Sequence, residues 1–195
     1  MKIIRARDCR TTPWKNRGGS TTEIAVEPSG ASLDTFAWRI SVARVAADGP
    51  FSEFPGIDRT LAVLGGKGVA LTIGSNAPVT LECGAEPISF AGDIPTSARL
   101  IAGEITDLNV MTRRGHFSHR LRRIRQPVSC EFGDSDIAVA LSFNGSATLA
   151  SEQDVATLDH GDAAIVLGAR GGSFRIVPIG ASDCNLVSLH QHRMT

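Results

Sequence analysis

Chemistry in this chain is concentrated in short stretches of charged and amide side chains. The first is Thr12-Pro13-Trp14-Lys15-Asn16-Arg17-Gly18-Gly19-Ser20-Thr21-Thr22-Glu23. It gathers two cations, an amide, two glycines and several hydroxyls in a loop that leads into a strand. Glycine lets backbone N–H groups approach a ligand closely. Lys and Arg neutralise a carboxylate, and Arg does so with two parallel hydrogen bonds. Trp adds a flat apolar wall with one donor. The spacing of a phosphate-binding P-loop is missing. The same composition also fits an ordinary solvated loop.

The second stretch is Asp48-Gly49-Pro50-Phe51-Ser52-Glu53-Phe54-Pro55-Gly56-Ile57-Asp58-Arg59. Turn signals flank Phe51 and Phe54, which read as local packing. Asp58 and Arg59 read as a local ion pair, worth about 0–1 kcal/mol if exposed, with a ligand-binding Arg59 as the alternative. The third is Asp107-Leu108-Asn109-Val110-Met111-Thr112-Arg113-Arg114. On a strand, Asp107, Asn109, Met111 and Arg113 share one face. That polar face suits a barrel lumen or solvent equally, and alternation does not decide between them.

A basic run follows, with Arg113, Arg114, Arg120, Arg122, Arg123 and Arg125 around His116 and His119. It suits phosphates or a solvated, ion-paired surface. Its one aromatic, Phe117, and a balance of 20 Lys+Arg against 20 Asp+Glu argue against a nucleic-acid surface. His190 and His192 form an H-x-H pair, whose rings share a strand face, but two isolated pairs are a weak metal motif. No metal and no cofactor are expected. No G-x-S-x-G or Cys–His signature marks a nucleophile.

The elements that must position these residues read as strands. With 195 residues, the chain is one ordinary domain or two small ones. Twenty glycines and nine prolines punctuate short apolar runs. Phe36, Trp38, Ile40 and Val42 alternate with Ala37, Arg39, Ser41 and Ala43. Leu61–Leu64 and Val69–Ile73 flank Gly65–Gly68 as a hairpin. Val79–Cys83 and Ile137–Phe143 are further strands, and one helical turn is expected near Ser151–Asp154. The frequent turn signals predict a sandwich or barrel. Cys9, Cys83, Cys130 and Cys184 are scattered and read as buried thiols of a cytoplasmic protein. No apolar run is long enough to cross a membrane as a helix, and the first residues show no apolar leader region.

An internal repeat is also visible. The hairpin around Gly65–Gly68, the turn at Gly92-Asp93 and the strand from Asp107-Leu108-Asn109 are echoed further on. The echoes are Ser142–Ser146, Gly161-Asp162 and Asp183-Cys184-Asn185. Two similar barrel halves follow, with a junction near Gly115. The expected division is residues 1–114 and 115–195, with the pocket in the first barrel and a supporting role for the second.

Four motifs, in order, carry a resemblance to a known family. They are Pro13-Trp14-Lys15-Asn16 with Gly18-Gly19 and Thr22-Glu23-Ile24; Trp38-Arg39-Ile40-Ser41; Asp48–Arg59; and Asp107–Arg114. Together they resemble the HutD/Ves family, from about residue 3 to 125. The resemblance implies a bicupin fold, an all-β, cupin-like double β-barrel with little helix. It implies an accessory role in histidine utilisation for the HutD branch and a stress- or cold-linked label for the Ves branch. It suggests binding of a pathway metabolite such as N-formylglutamate or urocanate. Carried over by position, the pocket residues are Trp14, Lys15, Asn16, Glu23, Arg39, Ser41, Arg59, Asn109 and Arg113. One departure stands out: the family pattern has glycine where this chain has Arg17, and glycine accepts positive φ more readily than Arg.

The expectation is therefore a cytoplasmic, metal-free, cofactor-free protein whose partner is a small carboxylate. Arg59 or Arg113 would clamp the carboxylate and Lys15 would add charge. Asn16 and Asn109 would read polar atoms, with Trp14 as a wall. The rival readings are an enzyme with Glu23 as general base and Lys15 as electrostatic partner, and a nucleic-acid-binding regulator using Arg113–Arg125. No membrane partner is expected. Homodimerisation through a sheet edge is compatible with the pattern, but no residue demands it.

Overall fold

The structure is a computed structural model and describes residues 1–132, 137–168 and 172–192. Among these the chain is almost wholly strand, with no α-helix and a single 3-10 turn at Ala6–Asp8. Strands β1 (Lys2–Ile4), β2 (Arg10–Pro13), β3 (Gly19–Glu27), β4 (Trp38–Val45) and β5 (Gly49–Pro50) come first. Next are β6 (Ile57–Gly65), β7 (Gly68–Ile73), β8 (Val79–Glu82), β9 (Ile88–Ala91), β10 (Thr96–Leu100) and β11 (Ile105–Arg113). The second half holds β12 (Phe117–Ile124), β13 (Val128–Glu131), β14 (Ile137–Phe143), β15 (Ser146–Ser151) and β16 (Val155–Leu158). It ends with β17 (Ala163–Leu167), β18 (Ser173–Ile179) and β19 (Asp183–Gln191).

The chain divides into two compact units, Arg10–Phe117 and Met1–Cys9 with Ser118–Thr195. The described strands form four open sheets. Arg10–Phe117 has a six-stranded sheet, β2-β3-β4-β11-β6-β9, and a four-stranded one, β5-β10-β7-β8. Leu61, Val63, Val69, Leu71, Leu81 and Ala98 come from both and form one buried cluster, so the two sheets face each other across an apolar interior. The other unit repeats the plan with β1-β17-β14-β19-β12 and β13-β18-β15-β16.

Residues 1–9 depart from the expected division at 114/115. Lys2, Ile3 and Ile4 pair with Ile165, Ala164 and Ala163 of β17. Asp162 fixes the segment by accepting from the Ala6 N–H at 2.8 Å and from Arg5 Nη1 at 2.6 Å. Edge hydrogen bonding and this ion pair therefore attach the first nine residues to the later unit.

Turn chemistry sets the hairpins. Asn144-Gly145 joins β14 to β15 with φ of 59° and 143°, a two-residue loop with both central residues at positive φ. Gly66-Lys67 joins β6 to β7 with positive φ at Gly66. The helical turn expected near Ser151–Asp154 is instead a tight β15–β16 connection, where the Ser151 N–H donates to the Asp154 carbonyl at 2.8 Å. Only two cysteines are buried, Cys130 and Cys184. Cys9 is half-buried, and Cys83 is exposed in the turn after β8, where Ala85 N–H bonds Glu82 C=O. Burial pushes the Cys184 thiol up to about 12.

Candidate functional site

Register places the polar residues in rows across the six-stranded sheet. Glu23, Ser41, Asn109 and Leu61 stand side by side on β3, β4, β11 and β6. The next row holds Arg39, Met111, Arg59 and Phe90. The row on the other side holds Thr21, Ala43, Asp107 and Val63. Ala43, Leu61 and Val63 belong to the interior cluster. Paired residues project to the same side of a sheet. The polar face of β11 therefore looks inward, which settles what alternation left open.

Three of these groups form a buried chain. Arg59 Nη2 donates to Asn109 Oδ1 at 2.8 Å, and Asn109 Nδ2 donates to Asp107 Oδ1 at 2.7 Å. Only one amide orientation serves both neighbours, because a guanidinium only donates and a carboxylate only accepts. Arg59, Asn109 and Asp107 are 5%, 7% and 1% exposed. The Arg59 guanidinium sits 5.2, 5.4 and 5.2 Å from the ring centres of Phe51, Phe54 and Phe90, within cation–π range. Its Nη1 donates to the Ser52 carbonyl at 3.2 Å. Its Nε has no hydrogen-bond partner among the described residues.

Burial dominates the electrostatics. Desolvation pushes the Asp107 carboxyl up to about 7, against the opposing pull of the Arg59 charge and the Asn109 hydrogen bond. Desolvation also lowers Arg59 to about 10, opposed by Asp107. The cation and the carboxylate are thus joined through one amide.

The adjoining part of the face is a second polar group. Arg39 Nε donates to Glu23 Oε2 at 2.8 Å, and its Nη1 donates to Ser41 Oγ at 3.2 Å. Glu23 is the more exposed partner of this ion pair. Glu23, Arg39, Ser41, Arg59 and Asn109 therefore share one inward face.

The other candidates lie in loops or at a strand end. Trp14 packs against the interior cluster and donates from Nε1 to Thr21 Oγ1 at 2.8 Å. A Cβ at Gly19 would lie 3.0 Å from the Trp14 ring and 2.2 Å from the Arg44 carbonyl oxygen, so glycine is required there. Asn16 is exposed and shapes the loop, its Oδ1 accepting from Gly18 N–H at 3.0 Å. Lys15 is exposed and, among the described residues, makes no ion pair. Arg17 has φ of 60°, the conformation a glycine would favour. Arg113 donates to the carbonyls of Phe36 at 3.0 Å and Asp34 at 2.8 Å, anchoring the segment before β4.

Asp107 is absent from the pocket residues that the family resemblance implies, although its two-residue spacing from Asn109 is a usable signal. The proximity of Phe90 to Arg59 had no local signal, because it is created by pairing between β6 and β9. The Asp58–Arg59 ion pair does not form. Successive strand residues point to opposite faces, and Asp58 bonds Arg114 at 2.9 Å, together with Asp93. Arg114 holds the Asp93 carboxyl well below the usual range. Part of the basic run is likewise engaged: Arg125 pairs with Asp183 at 3.1 Å, and Arg122 lies against the Cys130 sulfur, while Arg120 is exposed. His190 and His192 have ring centres 5.7 Å apart, and His192 Nε2 is 3.1 Å from Ser118 Oγ.

The second unit shares the topology without the site. In β19 it is Cys184 and Leu186, opposite Ser142 and Ala140, that join the cluster between the sheets. Asp183 and Asn185 lie on the other face. A one-residue offset reverses every side chain of a strand, so the repeated Asp-x-Asn motif lines one interior and not the other. The Gly-Asp turns also differ in place: Gly92-Asp93 follows β9, whereas Gly161-Asp162 precedes β17.

Comparison with known proteins gives a consistent picture. The HutD family model matches residues 6–182. A Pseudomonas putida protein named an uncharacterised 21.2 kDa protein in the hutC 3′ region is 35% identical over 122 residues. Protein Ves of Citrobacter koseri is 40% identical over 123 residues. Each match spans 63% of this chain and 63% of the relative. A solved structure of a conserved Pseudomonas aeruginosa protein of unknown function is 28% identical, with a TM-score of 0.89 over 97% of this chain and 98% of that one. HutD from Pseudomonas fluorescens, solved in a formate condition, is 29% identical, with a TM-score of 0.84 over 98% and 99%. Oxalate decarboxylase of Lactobacillus farciminis is 8% identical with a TM-score of 0.68, covering 98% of this chain and 86% of that one, and shares the cupin-like fold alone.

Proposed function

The chain belongs to the HutD family, and from that premise we propose that it is a cytoplasmic small-carboxylate-binding protein that governs histidine utilisation. The ligand is a pathway carboxylate such as N-formylglutamate or urocanate, held in the unit Arg10–Phe117. The observation that carries this reading is the buried Arg59. Among the described residues its guanidinium bonds the Ser52 carbonyl and the Asn109 amide but no carboxylate, and its Nε has no partner. A buried cation is costly unless an anion and hydrogen bonds compensate it. Asp107 does so only through Asn109, which leaves Arg59 able to take a second anionic group. Arg59 fills the clamp role in preference to Arg113, whose guanidinium is committed to the carbonyls of Asp34 and Phe36. The Glu23–Arg39 pair and Ser41 read further polar atoms, and Trp14 supplies the wall.

Calorimetric titration of metal-stripped protein with N-formylglutamate, urocanate, histidine and glutamate tests this, each titration being repeated with a divalent metal. One carboxylate is expected to bind saturably without metal, and the binding is expected to vanish in a folded Arg59→Met variant. Binding of none, or equal affinity in the variant, removes the reading. No helix among the described residues is long and apolar enough to cross a membrane.

A further inference from the structure

The charge balance around Arg59 carries one step more, and that step rests on the binding reading above. The buried chain holds one cation and one carboxyl group, separated by an amide that contacts both. A carboxylate placed against Arg59 adds a negative charge to this enclosed group. Asp107, at 1% exposure, has almost no access to screening water. Two like charges in a low-dielectric site disfavour double ionisation. The simplest relief is for one carboxyl to take a proton.

The neighbours decide which one. On the strand pairs beside Asp107 stand Ala43 of β4 and Val63 of β6, both apolar. Leu71, Leu81 and Ala98, from the facing sheet, are apolar members of the same interior cluster. The other charged groups on this face are Arg59 on β6, Arg39 on β4, Glu23 on β3 with Arg10 of β2 opposite it, and Arg113 at the end of β11, where it is held by the carbonyls of Phe36 and Asp34. Glu23 pairs directly with Arg39 at 2.8 Å and is the more exposed partner. Among the described residues the Asp107 carboxyl accepts one hydrogen bond, from the Asn109 amide at 2.7 Å. It is therefore the group least supported as an anion, and burial pushes its carboxyl up to about 7.

We propose that Asp107 is the specificity-determining carboxyl group of this site: it takes up a solvent proton as an anionic group binds Arg59, so the enclosed group of Arg59, Asn109 and Asp107 holds one carboxylate charge at a time. Proton uptake leaves the cluster with Arg59 positive, the ligand negative and Asp107 neutral. Protonated Asp107 continues to face Asn109 and gains a donor of its own.

The test is isothermal titration of the whole chain with sodium formate, the smallest carboxylate probe, in two buffers of different ionisation enthalpy. At pH 7.5, where a group near pH 7 is about one quarter protonated beforehand, the heats are expected to differ between buffers by an amount equal to uptake of about 0.5–0.8 proton per formate bound. Affinity is expected to fall about tenfold from pH 6 to pH 8, as a group near pH 7 must be protonated first. Asp107→Asn is expected to abolish the buffer dependence and flatten the pH profile. Glu23→Gln is expected to weaken binding, since Glu23 belongs to the site, and to leave the number of protons taken up per formate unchanged. Saturable formate binding by the unaltered protein with identical heats in both buffers overturns the proposal and leaves the binding reading standing. Loss of proton uptake in Glu23→Gln but not in Asp107→Asn does the same. Failure of formate to saturate the unaltered protein at any pH from 6 to 8 overturns the binding reading itself. The two-buffer result on the unaltered chain does not depend on either variant folding.

Discussion

Replacing Arg59 with methionine separates packing from charge in the buried chain. Methionine keeps much of the apolar stem that lies among Phe51, Phe54 and Phe90, but removes the guanidinium and its bonds to Asn109 and Ser52. Removing one partner of a buried charge pair costs about 3–5 kcal/mol when the other stays ionised. Asp107 can escape that cost by protonation. Its folded pKa, about 7, is already above the unfolded value of about 3.9. The unfolded chain therefore binds fewer protons than the folded one between those limits. By linkage, this group lowers stability as pH rises from about 4 to about 7. Without Arg59 the folded pKa rises further, and the decline continues above 7 at about 1.4 kcal/mol per pH unit. At pH 5.5 Asp107 is mostly neutral in both proteins. The variant should then lose about 1–2 kcal/mol, for the hydrogen bonds and ring contacts. At pH 8.5 the loss should be about 2 kcal/mol larger, from the 1.5 extra units of titration. Urea unfolding at both pH values provides the measurement. Trp14 and Trp38 both lie in the unit Arg10–Phe117, so fluorescence reports on the relevant fold. An equal loss at pH 5.5 and 8.5 would refute the argument that Arg59 holds the Asp107 charge.

Three further outcomes follow from local geometry. Arg17→Gly should raise the urea midpoint by the equivalent of about 0.5–1 kcal/mol, since Arg17 has φ of 60°; a lower midpoint contradicts the strain. Gly19→Ala should destabilise by about 2 kcal/mol or more and change Trp14 emission, because the new methyl meets the Arg44 carbonyl at 2.2 Å and the indole at 3.0 Å. Asp162→Asn should loosen residues 1–9, read as faster tryptic cleavage after Arg5 and Arg7. Hydrogen bonds from Ala6, Arg5 and Asp159 hold the Asp162 carboxyl below its ordinary value. Its stabilisation is therefore present above pH 4 and lost as acid protonates it, and the variant should lack that acid-dependent step.

Much of the strand pattern was legible because turn residues and alternation are local. Val79–Glu82 and Ile137–Phe143 form almost as their composition indicates. The hairpin glycine at position 66 is equally local: a side chain there would meet the Glu104 carbonyl at 2.5 Å. Placing Glu23, Ser41 and Asn109 in one row was less accessible, since it depends on three strands far apart in sequence. The Asp-x-Asn repeat shows the limit more sharply. Asp107-x-Asn109 and Asp183-x-Asn185 look alike, yet Cys184 and Leu186, not Asn185, join the interior cluster of the second unit. Nothing within a strand reveals which of its faces a distant sheet will cover. Asp58 and Arg59 illustrate the same point at shorter range: adjacent charges suggested a pair, and strand alternation sent them to opposite sides.

The attachment of residues 1–9 to β17 separates the order of synthesis from the order of assembly. Lys2–Ile4 leave the ribosome well before their partners Ala163–Ile165, which come about 160 residues later. At roughly 5–20 residues per second, that is a delay of about 8–30 s. The unit Arg10–Phe117 contains all its own strand partners and can close during this interval. The opening segment remains an unpaired strand until the far unit is made. A rearranged chain that carries this segment after residue 192 would supply the strand when its partner is already present, and should refold that unit faster while leaving the Arg59 cluster unchanged.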